Sequence, residues 1–250
     1  MFSPLDQFET FSLLGFNSPI VGNFYLSLTN FGFYALIVLT IIIGLHSLSN
    51  NNFALVPSSY SLAFESLFAT ISAIVRGQIG ENKEIYLPFI YSLFVFVLIS
   101  NLVSNVPYNL AMTSSAILCL GLSVTIFLGV SILALVKHQL KFFSFFVPAG
   151  TPLMLVPLLV LIELVSYFAR SVSLGLRLFA NLTAGHSLVA ILSSFLYKLF
   201  ASGVIVFFVT LIPFAIFIGI LGLELAVSFI QAYVLALLVS SYIKDAVYLH

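Results

Sequence analysis

Long apolar blocks, separated by short polar segments, organise this sequence. Three blocks, residues 24–48, 86–106 and 114–136, are each long enough to cross a bilayer as a helix, since the ~30 Å hydrocarbon core needs about 20 residues. The polar-mixed lead-in over residues 1–23 is predicted to be extended or interfacial. Turn-forming residues at 105–109 join the second and third blocks, which should therefore form an antiparallel hairpin.

A fourth segment, residues 58–76, is amphipathic rather than uniformly apolar. Its apolar side chains recur at helical spacing along one side, whereas Glu65 and Arg76 lie on the other. This pattern predicts a helix that lies in the membrane interface instead of spanning the bilayer. Gly77 and Gly80 are expected to end it.

The C-terminal part of the chain predicts two long apolar helices, over residues 152–198 and 204–247. Thr151-Pro152 suits the start of the first helix, and Ser202-Gly203 suits the turn between the two. A helix of some 45 residues is about 67 Å long, far more than the bilayer core is thick. Each helix must therefore break into two spans or lie strongly tilted, and periodicity alone leaves both possibilities open. Because no linker is visible, residues 1–250 are predicted to form a single membrane domain.

Composition agrees with a protein that faces lipid. Only 6% of the residues are charged and 62% are hydrophobic, whereas a soluble domain carries about 25% charged residues. The net charge is zero, with no basic patch for nucleic acid. Cys119 is the only cysteine, which excludes an intrachain disulfide and a paired-cysteine metal site. The predicted class is an all-α membrane protein, with no metal and no cofactor.

Charged residues inside the first long helix share one face. Glu163, Arg170 and Arg177 are spaced by seven, and Asn181 follows four positions later. Each charge at membrane depth costs at least about 2.5–3.5 kcal/mol, so the face should meet a bundle interior, an aqueous cavity or a partner. A structural ion pair between Glu163 and Arg170 is the plainer alternative. A stripe of small residues runs alongside and suits close approach of a helix, either within the chain or from a partner, and consists of Ser166, Ala169, Ser173, Ala180 and Ala184.

Further titratable groups follow along the two helices. His186 is nine residues past Arg177 and so lies on the opposite side of the first helix. In the second helix Glu224, Ser228 and Gln231 share a face. Titratable side chains at membrane depth indicate a proton relay.

The segment SLGLRLFANLTAGH, residues 173–186, resembles the signature of subunit a of F-type ATP synthases. The segment FVPAGTP at 146–152 and the C-terminal SYIKDAVYLH at 241–250 strengthen the resemblance, which covers essentially the whole chain. The start, SPLDQFE at residues 3–9, is similar to mitochondrial forms from fungi.

The resemblance implies a role for each polar residue. Arg177 corresponds to the family's essential arginine, which faces a carboxylate on the ring of c subunits, and Ser173 and Arg170 support it. The half-channel from the intermembrane space would be lined by four residues, namely His186, Glu224, Gln231 and Asn181. Glu163 and Asp245 would line the half-channel to the matrix.

The resemblance also implies an architecture and a setting. The fold would be one N-terminal span, an interfacial helix, a spanning hairpin and two long tilted helices packed against a c ring. The protein would couple proton flow through two half-channels to ring rotation and ATP synthesis, while the ATP-forming sites lie on other subunits. Its partners would be the c ring, subunit b, small membrane subunits and the bilayer, within a dimeric complex of the mitochondrial inner membrane.

Three rival functions are less well supported. A secondary transporter should show paired repeats or broken helices in corresponding halves, and neither is visible in the sequence. A purely structural membrane subunit would not explain the charged face around Arg177. A standalone enzyme would need a nucleophile and base, for which no pair is evident.

Overall fold

The computed structural model describes residues 10–18, 24–49, 57–106, 114–139, 141–142, 155–201 and 204–248. Helices dominate these residues, which confirms the predicted all-α class. Six helices in the described part are long and apolar enough to cross a membrane, judged by length and composition. The interfacial position of the second helix and the tilt of the last two stay predictions.

The helices follow the apolar blocks of the sequence. A short 3-10 helix, Glu81–Tyr86, lies between the second and third of them. In chain order the six helices are α1 Asn30–Ser49, α2 Ser59–Ile79, α3 Leu87–Ser104, α4 Ala116–His138, α5 Val156–Phe200 and α6 Val204–Val247.

The first helix starts later than expected because a hairpin precedes it. Strand β1, Ser12–Ser18, pairs antiparallel with β2, Phe24–Thr29. The chain then turns into α1, where the Thr29 hydroxyl accepts a hydrogen bond from the Gly32 amide at 3.4 Å. The predicted helical start at residue 24 is therefore wrong, since strand pairing takes residues 24–29.

Capping explains the ends of α2. The Ser58 side chain accepts a hydrogen bond from the Ser61 amide at 3.3 Å, as a helix N-cap does. At the other end Gly80 has φ 100°, a conformation that side chains rarely tolerate. Gly77 was also expected to end the helix, which is wrong, because α2 continues through it to Ile79.

Helices α5 and α6 are uninterrupted over 45 and 44 residues. A break of either helix into two separate spans is thereby excluded. The expected helix start at Thr151-Pro152 and the turn at 202–203 lie outside the described residues.

The chain divides into two compact units. The first unit comprises residues 1–48, 95–115 and 179–232, and the second unit comprises residues 49–94, 116–178 and 233–250. Helices α3, α5 and α6 contribute to both units. That the whole chain forms a single membrane domain stays a prediction.

In the second unit, close packing of α5 on α4 determines which side of α5 is exposed. Gly175 lies so near α4 that a Cβ there would be 2.6 Å from Ser123 Oγ and 2.9 Å from the Cys119 carbonyl oxygen. The Ser171 hydroxyl donates to the Ser123 carbonyl at 3.3 Å. With Ser171 and Gly175 on the buried side, Arg177 is left on the exposed side.

Gly175→Ala should therefore destabilise the second unit. The added methyl group collides with the backbone of α4, and overpacking of this kind costs about 1–3 kcal/mol. The measurement is the midpoint of thermal unfolding of the protein in its native assembly, extracted in mild detergent. Gly129→Ala on α4, where a Cβ meets nothing within 4 Å, is the control and should leave the midpoint unchanged. Equal midpoints for both variants would contradict the close approach.

Candidate functional site

A cavity of about 210 Å³, with a mainly apolar lining, lies within the first unit and has room for several water molecules. It brings together Asn181, His186 and Glu224, three of the residues predicted to line a half-channel. Segments of α3, α5 and α6 supply its walls. Its other lining residues are Asn105, Leu182, Ala184, Gly185, Leu188, Ile220, Leu223, Val227 and Ser228.

The imidazole of His186 is held from across the cavity. Its Nε2 lies 2.8 Å from the hydroxyl oxygen of Ser104 at the end of α3. Ser104 is almost completely buried, with 1% of its surface exposed. A histidine on α5 is thereby tied to a hydroxyl 82 residues away in sequence.

A second polar contact joins α3 to α6. The Asn105 amide donates to the Ser228 hydroxyl at 2.8 Å. Ser228 in turn donates to the main-chain carbonyl of Glu224 at 2.9 Å. These two bonds hold the end of α3 against the part of α6 that carries Glu224.

Glu224 projects its carboxyl group toward the backbone of α5. A Cβ at Gly185 would be 2.7 Å from Glu224 Oε1, so only glycine leaves room for this position. Oε1 is buried and has no hydrogen-bond partner among the described residues. Buried polar atoms nearly always have a partner, so this oxygen is suited to accept water or a proton.

The amide side chains of Gln231 and Asn101 are also buried in the first unit. Gln231 follows Ser228 by one helical turn and is 9% exposed, but it does not line the cavity in the part of the chain that is described. Asn101 on α3 is completely buried, and neither atom of its amide has a partner among the described residues. Helical spacing in the sequence predicted Gln231 as a site residue but not Asn101.

The second unit contains an ion pair between α5 and α6. Arg170 Nη1 lies 3.0 Å from Asp245 Oδ2, with about a third of each side chain exposed. The guanidinium also lies 5.5 Å from the centre of the Tyr242 ring. The ion-pair partner of Arg170 is therefore Asp245. The alternative, an ion pair between Arg170 and the partly exposed Glu163, does not form. Pairing compensates two charges that would each be expensive in an apolar setting.

Beside the ion pair is a small cavity of about 30 Å³, enough for one or two water molecules. Two side chains of α4 contact the last carbonyl groups of α6 nearby. Lys137 donates to the Val247 carbonyl at 3.2 Å, and His138 Nε2 lies 3.1 Å from the Ala246 carbonyl oxygen. The cavity is lined by Phe127, Val130, Ala134, His138, Phe142, Tyr167, Arg170, Tyr242, Asp245 and Ala246.

Arg177 lies outside both cavities, on the exposed side of α5. The small residues of the neighbouring stripe are exposed as well, although Ala184 also lines the cavity of the first unit. The stripe comprises Ser166, Ala169 and Ser173 in the second unit, and Ala180 and Ala184 in the first. This exposure favours the hypothesis of a surface for a partner's helices.

Sequence reasoning missed the contribution of α3. Ser100 and Ser104, and likewise Asn101 and Asn105, are four residues apart, which places polar groups on one side of an otherwise apolar helix. That spacing was a usable signal, but Asn105 was interpreted only as a turn residue. Gly185 carried no signal, because its role depends on a residue from another helix.

The fold and the cavities together define a multi-pass membrane protein with titratable groups gathered inside a helical bundle. The sequence profile of the family described as ATP synthase A chain matches residues 32–244. The chain therefore belongs to the ATP synthase A chain family, whose members are membrane-embedded, proton-translocating F0 components and not the catalytic subunit.

Curated relatives agree along nearly their whole length. ATP synthase subunit a of Mycosarcoma maydis is 56% identical over 99% of this chain and 98% of the relative. The protein of the same name from Emericella nidulans is 51% identical over 99% of this chain and 97% of the relative. That of Saccharomyces cerevisiae is 46% identical over 99% of this chain and 96% of the relative.

Gly185→Ala should slow proton transport without preventing assembly. The new methyl group would occupy the place of Glu224 Oε1, and the flexible carboxylate must move out of its position. Proton flux through the membrane sector is the measurement, normalised to the amount of assembled complex. Gly219→Ala on α6, where a Cβ meets nothing within 4 Å, is the control. Shortening the acid with Glu224→Asp should partly restore flux to Gly185→Ala, and normal flux in the single variant would contradict the assigned contact.

Proposed function

We propose that this protein forms the two half-channels through which protons reach and leave the c ring of an ATP synthase. The observation that carries the proposal is the cavity of the first unit, where His186, Glu224 and Asn181 meet. A cavity that has room for water and holds an imidazole and a carboxyl group is suited to pass protons in steps. Gln231, buried one turn beyond the cavity, belongs to the same half-channel.

The cavity in the first unit is proposed as the half-channel from the intermembrane space. Glu224 and His186 act as successive proton carriers there, because both side chains can take and release a proton. Asn181 and Asn105 bind water between them without titrating. These roles follow from the chemistry of the side chains. The assignment of the cavity to the intermembrane-space side follows from the family resemblance.

Asp245 and Glu163 are proposed to line the half-channel to the matrix. Support comes from the basic residues near Asp245 in the second unit. Lys137 and His138 bind the last carbonyls of α6, and Lys244 lies in the same final turn. Lysine and arginine are enriched on the side from which membrane proteins are inserted, and the family resemblance implies the matrix for this side.

Arg177 is proposed to separate the two half-channels. A guanidinium stays charged under working conditions, so it attracts the ionised form of a carboxyl group brought past it by the ring. It also repels any proton that would cross directly. Its position on an exposed face beside the small Ser173 allows a partner helix to approach closely, while Arg170 supports the same helix through its pair with Asp245.

The proposed cycle depends on the free-energy cost of moving a charged carboxylate into lipid. A proton from one half-channel neutralises a carboxylate of the ring, which can then rotate through lipid because only its charged form is strongly penalised there. On reaching the other half-channel the carboxyl group meets water and Arg177, and it releases the proton. One charge crossing 100 mV yields about 2.3 kcal/mol, so ATP synthesis requires several protons in succession, which a ring provides.

The partners and the compartment complete the proposal. As a multi-pass F0 component the protein works with a c ring. We further propose contacts with subunit b and small membrane subunits, and a dimeric complex in the mitochondrial inner membrane. The fungal relatives and the many exposed apolar side chains of α5 and α6 support this setting.

Arg177→Lys should abolish coupled transport although it keeps the charge. Lysine lacks the planar group with fixed donors that a carboxylate meets in two places, and loss of one charge-assisted bond alone lowers the rate roughly tenfold or more. ATP-driven proton pumping by the purified complex in vesicles is the measurement. Pumping at the normal rate would overturn the role of Arg177.

Glu224→Gln should slow proton flux at least roughly tenfold, because an amide of the same size cannot take part in proton transfer. The complex should assemble in normal amounts, since the shape of the side chain is kept. Glu65→Gln, which changes an exposed acid on α2, is the matched control and should leave flux unchanged. An equal rate in both variants would remove Glu224 from the path.

A further inference from the structure

Ser104 differs from most serines of this protein in its hydrogen bond. Helical serines here commonly donate to a carbonyl of their own helix, as Ser92 does to Phe89 and Ser240 to Leu237. The hydroxyl of Ser104 instead lies 2.8 Å from Nε2 of His186 on another helix. At 1% exposure, Ser104 is nearly shielded from solvent.

Holding α3 in place does not require this bond. The neighbouring Asn105 already ties the end of α3 to α6 through Ser228 at 2.8 Å. Buried apolar residues of α3, including Val97 and Leu98, add to its packing. The bond from Ser104 therefore acts on the orientation of the His186 ring more than on the position of the helix.

We propose that Ser104 is a positioning residue that keeps the His186 imidazole in one orientation while the ring gains and loses a proton. The inference rests on the proposed function, in which His186 carries protons. It adds Ser104 to the residues assigned to that path.

The reason lies in the chemistry of a hydroxyl group. It can donate a hydrogen bond to Nε2 when that nitrogen is unprotonated, and accept one when the nitrogen carries a proton. A small rotation of the O–H bond is enough to change between the two. The ring can therefore change its charge without losing its partner or turning away from the cavity. An alanine offers neither bond.

The experiment compares Ser104→Ala with Ser104→Thr in the assembled ATP synthase in vesicles. Ser104→Ala should lower proton flux roughly three- to tenfold, which corresponds to one hydrogen bond of ordinary strength. It should also change the pH profile of flux, because the ring loses a partner that serves both of its protonation states. Ser104→Thr keeps the hydroxyl and should restore both the rate and the profile. Ser240→Ala, which removes another fully buried serine hydroxyl, is the control and should change neither.

The same changes are then made in a His186→Gln background. If Ser104 acts through the imidazole, Ser104→Ala should have no further effect once that ring is gone. Equal slowing by Ser104→Ala in both backgrounds, or an unchanged rate and pH profile in Ser104→Ala alone, would overturn the inference. Full flux in His186→Gln would instead overturn the proposed role of His186 as a proton carrier.

Discussion

A polar group at membrane depth must find its partner inside the protein or in another subunit, because hydrocarbon offers none. This constraint accounts for the main polar features of the structure. Asp245 and Arg170 satisfy it as an ion pair, and Asn105 and Ser228 satisfy it as a hydrogen-bonded pair between helices. Glu224 Oε1 has no such partner among the described residues, and the side chain lines the cavity of the first unit.

Helix packing decides which of these groups can meet. Gly175 lets α5 lie against α4, and Gly185 lets the Glu224 carboxyl group lie against the backbone of α5. Both glycines belong to the segment that carries Arg177 and His186. The segment therefore combines residues that titrate or carry charge with residues whose lack of a side chain brings other helices into reach.

The sequence predicted the helices and the polar faces because both follow from local spacing. Periodicity placed Glu224 and Ser228 on one side of α6, and apolar length predicted two long helices, which are unbroken. Local spacing does not predict contacts between segments that are distant in sequence. Ser104 and His186 are 82 residues apart, and neither segment contains a signal that predicts contact with the other. The strand pairing that delays the start of α1 was missed for a different reason, since its two strands are separated by only residues 19–23 but residues 24–29 continue into the apolar block of α1.

The two arginines of α5 differ in their ion-pair partners, which local sequence does not predict. Arg170 and Arg177 are seven residues apart in one helix, so they project from nearly the same side. Arg170 pairs with Asp245, whereas no ion pair to Arg177 exists among the described residues. Small residues beside Arg177 cannot shield its charge, and at membrane depth that charge costs at least about 2.5–3.5 kcal/mol. We propose that a carboxylate of another subunit compensates this exposed guanidinium. A charge without a fixed partner in its own chain would then be available to each carboxyl group that a rotating ring presents.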